Sequence, residues 1–129
     1  MSIFTKIVSG EIPSYKIAED NNYLAFLDIN PNTKGHTLVI PKKEINKLFD
    51  LDQKEYLDLM SFSYRVAKAI EKTIPCKRIG MSVIGLEVPH VHVHLIPINT
   101  MNNMRFVEKV KLTSNAFESL AEDISSNFI

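Results

Sequence analysis

The chain has 129 residues and 14.7 kDa, with 45% hydrophobic and 23% charged residues, a length for one domain with its own core and a composition that excludes disorder. Fifteen Lys and Arg balance fifteen Asp and Glu, so the basic excess of a duplex-binding protein is missing and no nucleic-acid partner is expected. A lone Cys76 gives neither a disulfide nor a cysteine-based zinc site. No stretch approaches the roughly 20 apolar residues of a membrane span, and Lys6 and Glu11 interrupt any leader-like start. A cytoplasmic protein without a membrane partner is expected.

Ile3, Phe4, Ile7 and Val8 have helical spacing before Gly10, which predicts a short opening helix with a glycine at its end. Residues 15–20 and 23–28 read as strands joined at Asn21-Asn22, a two-residue turn that tolerates positive φ. The loop Asn30-Pro31-Asn32-Thr33-Lys34-Gly35 leads into a third strand, His36 to Pro41. Asp52 and Glu55 form a capping-box start, and Tyr56, Leu59, Met60, Ala67, Ile70 and Ile74 recur at helical spacing up to Pro75. Residues 78–84 and 90–98 are two further strands around Gly85-Leu86-Glu87-Val88-Pro89. In the tail, Phe117, Leu120, Ala121 and Ile124 share a helical face, with Asn115 and Glu118 as cap and N3. These elements predict a single α+β domain over residues 1–129, with a mainly antiparallel five-stranded sheet, one long helix and short terminal helices.

All four histidines fall on two of these strands, and His90, His92 and His94 alternate with Val91, Val93 and Leu95. Strand alternation puts the three imidazoles on one face and the apolar residues on the other. Any one such histidine reads as a hydrogen-bonded, partly buried ring. A purely structural row of three would stack like charges on protonation and gain nothing over Thr or Val. Two chemistries suit the row: zinc ligation, or phosphorus chemistry with neutral imidazole as nucleophile. Three successive same-face residues span about 13 Å, too far to converge on one ion, so a metal site would need His36 with two of the three.

His90-Val91-His92-Val93-His94-Leu95-Ile96 resembles the His-x-His-x-His-x-x signature of the histidine triad (HIT) nucleotide-binding proteins. Ile3-Phe4 with Lys6-Ile7, Glu11-Ile12-Pro13, Ala25 to Pro31 and His36 to Lys43 resemble the family's earlier blocks in order, so the resemblance covers roughly residues 3–98. It implies a hydrolase that cleaves at the α-phosphate of a purine nucleotide through a nucleotidyl-histidine, with no cofactor and no metal. His92 would be the nucleophile, neutral at the attacking nitrogen because the other donates to a fixed acceptor. His94 would donate to phosphate oxygens and help protonate the leaving group, with His90 and His36 in support. Asp28 would bind the ribose hydroxyls, although it also suits capping of the Asn30-Pro31 turn. Phe4, Ile7, Phe26 and Ile29 would line the base pocket, although any of them also suits the core.

The loop before the triad departs from the family. Glu87 stands where many members carry Ser or Thr, and a carboxylate facing phosphate repels it unless turned outward, paired or protonated. The span from Arg78 to Gly85 is too short to hold the family's upstream asparagine. Histidine rather than glutamine at position 94 implies hydrolysis rather than transfer, and the short chain leans toward phosphoramidate over dinucleoside polyphosphate substrates. Residues 99–129 match no family block; in the family this tail often borders the partner subunit's site. Family members are usually homodimers, and Leu57, Phe62 and Tyr64 lie off the long helix's main face, as a dimer surface or a wide core stripe would have them. A binding module without turnover and a metal-dependent hydrolase are the readings from other classes.

Overall fold

The structure, a computed structural model, describes residues 1–129. Ser2 caps α1 (Ile3–Val8), its Oγ accepting from the Thr5 amide, and the helix runs out through Ser9 into Gly10 at φ +84°, the left-handed conformation that glycine adopts without penalty. β1 (Lys16–Glu19) and β2 (Tyr23–Leu27) pair antiparallel. Their turn differs from the expected one: no residue except glycine has positive φ. Instead the Asp20 carboxylate accepts from the Asn22 and Tyr23 amides, both at 2.8 Å, so a side chain takes over the satisfaction that a mirror-image turn would have given the backbone.

β3 (Thr37–Pro41) follows, then α2 (Gln53–Thr73), β4 (Arg78–Ser82), β5 (Val93–Ile98) and α3 (Ser114–Ser126). The five strands form one antiparallel sheet in the order β1-β2-β3-β5-β4, the expected architecture. The capping box of Asp52 and Glu55 is present. The α3 cap is Thr113, which accepts from the Ala116 amide at 3.1 Å, rather than Asn115, which lies inside the helix. β5 begins at Val93, so His90 and His92 precede the strand instead of opening it; the Val91 amide donates to the Ile45 carbonyl, outside the ladder.

Alternation sorts the strands between two faces. Tyr23, Ala25 and Leu27 of β2, Val39 of β3, and Val93 and Leu95 of β5 join the larger core under α2 and α3. Leu24, Phe26, Leu38 and Ile40 turn to the opposite face, where Phe4 of α1 covers them. Phe62 belongs to the larger core, its ring 5.6 Å from those of Tyr23 and Phe128. It is therefore core stripe rather than dimer surface, while Leu57 and Tyr64 are exposed. Across the smaller face, Phe26, Leu38 and His94 stand in register on β2, β3 and β5. The histidine side chain thus lies beside two apolar neighbours, with Ser82 of β4 on its other side.

Gly35 sets the entry to β3. It adopts φ +98°, and a Cβ there would lie 2.0 Å from Ile74 Cδ1 and 3.1 Å from Pro97 Cγ. Gly35→Ala combines left-handed strain with a clash against two packed side chains, and is expected to lower unfolding free energy by about 2 kcal/mol or more. Urea titration checks this; an unchanged midpoint would show that Ile74 repacks without cost.

Candidate active site

Each imidazole of the cluster has at least one nitrogen tied to a fixed partner, and those partners assign the protons. His90 is fully buried. Its Nε2–H donates to the Pro41 carbonyl at 2.8 Å, and its Nδ1 accepts from the Ser2 hydroxyl at 2.7 Å. Ser2 is held in turn by Glu44, whose Oε1 accepts from the Ser2 amide at 2.5 Å and the Thr5 hydroxyl at 2.6 Å; these bonds hold the Glu44 carboxyl down at about 2. Both His90 nitrogens are therefore engaged, and the ring is a scaffold.

His92 donates Nδ1–H to the His90 carbonyl at 2.7 Å. That bond leaves Nε2 with the lone pair, the form a nucleophile requires. Phe4 packs edge-on against His92, with ring centroids 4.9 Å apart. His36 is fully buried, and its Nδ1 accepts from the Asn32 amide at 2.9 Å. Its proton must then sit on Nε2, which donates to His94 Nδ1 at 3.0 Å. His94 in consequence carries its proton on Nε2. Neither His92 Nε2 nor His94 Nε2 has a protein partner, and neither is a sealed unsatisfied atom, so both reach solvent. The two rings are 4.9 Å apart, and the pair presents one lone pair and one N–H to whatever binds there.

Burial dominates the titration. Desolvation, with His94, Lys109 and His92 as neighbouring positive charges, pushes His36 down to about 3. Desolvation with the His92 and Lys109 charges pushes His94 to about 4, and burial also lowers His90. At neutral pH His94 is therefore a neutral N–H donor and not a cationic acid. Burial raises Asp28 against the opposing pull of the Asn30 amide, Lys109 and His92.

Of the two roles weighed for Asp28 from the sequence, the structure shows the turn cap: Oδ1 accepts from the Asn30 amide at 2.8 Å, while Oδ2 lies 3.6 Å from His36 Nε2. Asp28, His36 and His94 bring three donor atoms within 4.8 Å of one another, so Asp28 takes the place that a second triad histidine would fill in a metal site. Their protons are set against a cation, however. The Asn32 N–H aimed at His36 Nδ1 keeps the lone pair there and the proton on Nε2, the atom an ion would need.

The sequence model of the HIT domain family matches residues 9–101. The chain belongs to the HIT family. An uncharacterised HIT-like protein of Borreliella burgdorferi is 40% identical over 97% of this chain and 96% of its own length. The adenosine 5′-monophosphoramidase HNT1 of Saccharomyces cerevisiae is 43% identical over 74% of this chain and 61% of its own. A zinc-bound histidine triad protein of Mycobacterium smegmatis superposes with TM-score 0.83 at 26% identity, covering 98% of this chain and 91% of the other. As a HIT protein the chain carries a histidine cluster of the nucleotide-directed kind.

Within this HIT site, Phe4 and Phe26 are buried in the smaller apolar cluster with Ile7 packed on it. Ile29 stands apart, 74% exposed and outside that cluster. Glu87 is exposed, forms no ion pair, and lines an open cleft of about 730 Å³ with Leu48, Phe49, Ile84, Leu86 and His92. Four residues join the site without having stood out in the sequence: Ser2, Asn32, Phe106 and Lys109. Ser2 had a readable signal as a helix cap; the other three come together only on folding, when Lys109 bonds Asn32 and Phe106 packs on His36 and His94.

The titrations have a consequence for stability. Unfolded imidazoles titrate near about 6.5, whereas His94 and His36 in the fold titrate at about 4 and about 3. As pH falls from about 6.5 toward 4 the unfolded chain binds more protons than the native one, so stability is full above that window and is lost across it, by on the order of a few kcal/mol. Denaturant midpoints measured from pH 7.5 to 4.5 should fall steadily; a flat profile would contradict the neutral pair.

Proposed function

We propose that the protein hydrolyses a purine nucleoside 5′-phosphoramidate or related nucleotide at its α-phosphorus, through a nucleotidyl-histidine on His92. The observation that carries this is the bond from His92 Nδ1–H to the His90 carbonyl, which leaves a solvent-accessible lone pair beside the N–H of His94. In this reading His92 Nε2 forms a bond to phosphorus as the bond from phosphorus to the leaving nitrogen breaks, and that nitrogen departs as a neutral amine with a proton delivered through His94 Nε2–H, which the water of the second step restores. His94 Nε2–H supports the charge that develops on phosphate or leaving atom. A water molecule then cleaves the intermediate; over both steps one water supplies the proton on the leaving group and the hydroxyl on phosphorus. His90 and His36 hold the two reacting rings.

The likeness to adenosine 5′-monophosphoramidase HNT1 supports a phosphoramidate substrate. Phe4, Ile7 and Phe26 offer an apolar wall to the base, and the Asp28 carboxylate offers an acceptor pair for the ribose hydroxyls. The cleft of about 730 Å³ that reaches His92 favours a second reading, in which the leaving group is itself a nucleotide and the substrate a dinucleoside polyphosphate. We also take the working form to be a cytoplasmic homodimer, with exposed Leu57 and Tyr64 on α2 as part of its surface; no helix is long and apolar enough to cross a membrane.

Release of adenosine monophosphate from adenosine 5′-phosphoramidate, measured in excess EDTA, tests the mechanism. His92→Ala is expected to lower the rate by about 10³-fold or more, and acid quenching of the native enzyme at early times should trap an adenylyl group on His92. Release that persists in His92→Ala would remove the nucleophile, and release abolished by EDTA would call for a metal. Tight binding of adenosine monophosphate without turnover of either substrate class would leave a binding module.

A further inference from the structure

After β5 the chain forms a 3-10 turn, Met101–Met104, and then crosses the face that carries the histidines. Asn103 anchors the turn, its Oδ1 accepting from the amides of Asn99 at 2.8 Å and Thr100 at 3.1 Å. The Phe106 ring lies 4.8 Å from that of His94 and 6.1 Å from that of His36. Lys109 Nζ sits 5.1 Å from the Phe106 centroid, and the Val110 amide donates to the Pro31 carbonyl at 2.9 Å. This segment follows the region matched to the family, which ends at residue 101.

Besides the packing of Phe106, the strap is hydrogen-bonded to the site through one side chain. Asn32 is 5% exposed; its Nδ2 donates to the Asn103 carbonyl at 3.0 Å and its Oδ1 accepts from Lys109 Nζ at 2.8 Å. The same residue's backbone N–H assigns the proton of His36, and through His36 that of His94. A buried amide with donor and acceptor both used is fixed in orientation and position. If Asn32 shifted, His36 would be free to carry its proton on Nδ1. His94 could then hold its own on Nδ1 and turn a lone pair, instead of an N–H, toward the leaving atom.

We propose that Asn32, clamped by Asn103 and Lys109 of the strap, is a positioning residue for His94, fixing the proton arrangement of the His36–His94 pair so that His94 offers Nε2–H to the reacting group. The inference rests on the phosphoryl-transfer reading above for what that N–H does. It stands on the ground-state hydrogen bonds for how the N–H is set. The charged and titratable groups around the pair are Asp28 from the loop after β2, His92 from the segment before β5, and Lys109 from the strap.

Two variants test it: Asn32→Ala, which removes the hub, and Lys109→Met, which keeps an apolar stem over Phe106 and removes the donor without opening the core. Nitrogen chemical shifts of the imidazole rings in the ligand-free protein read the tautomers directly. Native protein should show His94 protonated on Nε2 alone, and both variants should show a mixture with the Nδ1–H form. Unchanged shifts in both would overturn the proposal whether or not the protein turns over any substrate.

The kinetic arm compares adenosine 5′-phosphoramidate with adenosine 5′-(4-nitrophenyl phosphate), whose leaving group needs little help because its charge spreads into the ring. Asn32→Ala should lower kcat on the phosphoramidate about 10- to 100-fold and Lys109→Met about tenfold, with the nitrophenyl ester changed less than about twofold. Lys109→Arg should restore the native ratio. Equal losses on both substrates would mark a merely structural role and overturn the proposal. A native protein inactive on both would instead remove the phosphoryl-transfer reading, leaving the tautomer measurement to decide the positioning.

Discussion

The site depends on the placement of protons among four imidazoles. Three backbone groups place them: the Pro41 carbonyl takes the proton of His90, the His90 carbonyl takes that of His92, and the Asn32 amide denies His36 a proton on Nδ1. Backbone groups suit this task because they neither titrate nor change rotamer. Charging His36, His90 and His94 at these depths would carry desolvation penalties, and adjacent imidazolium rings would repel one another. Neutral rings in assigned tautomers supply a lone pair and an N–H at no such cost, and polarity is set by direction instead of net charge.

The sheet makes this possible by being covered on both sides. α2 and α3 take one face, and α1 closes part of the other with Phe4. β2 and β3 are buried throughout, so the strands that carry the site have nowhere to move. α1 has a second role: its cap, Ser2, hydrogen-bonds His90, and Glu44 ties that cap to the segment after β3. The helix that lays Phe4 beside His92 is thus fastened to the histidine whose carbonyl orients His92. Gly35 serves the same end at the opposite edge, where the chain must pass close to Ile74 and Pro97 to deliver His36.

Most of the fold was legible because it rests on local rules. Period-2 and period-3.6 patterns located all five strands and the three α-helices, and the Asp52–Glu55 box marked the start of α2. At two places where local reading erred, a side-chain contact had replaced a backbone preference: Asp20 holds the β1–β2 turn without positive φ, and Thr113 caps α3 ahead of Asn115; at a third, the Val91 amide bonds the Ile45 carbonyl outside the ladder and β5 starts only at Val93. Phe62 illustrates a different limit. Helical spacing gives an angle around the axis but not the width of the groove, and here Tyr23 and Phe128 widen the apolar stripe to include it. His36 and the triad were legible as a cluster through alternation and the family pattern. Their protons were not, since these depend on Ser2, Pro41 and Asn32, whose roles exist only after folding.

The strap completes the asymmetry of the site. On one side of the reacting pair lies the open cleft bordered by Leu86 and Glu87; on the other, Phe106 and Lys109 close over His94 and His36. A tail that merely shielded apolar surface would need only Phe106. Lys109 adds a positive charge that lowers the proton affinity of both histidines and opposes the rise in that of Asp28. It thereby favours the neutral pair beside an ionised carboxylate, the combination in which Asp28 accepts hydrogen bonds while His94 donates one. The segment least readable from sequence thus bears on the protonation of residues whose types the sequence announces most plainly.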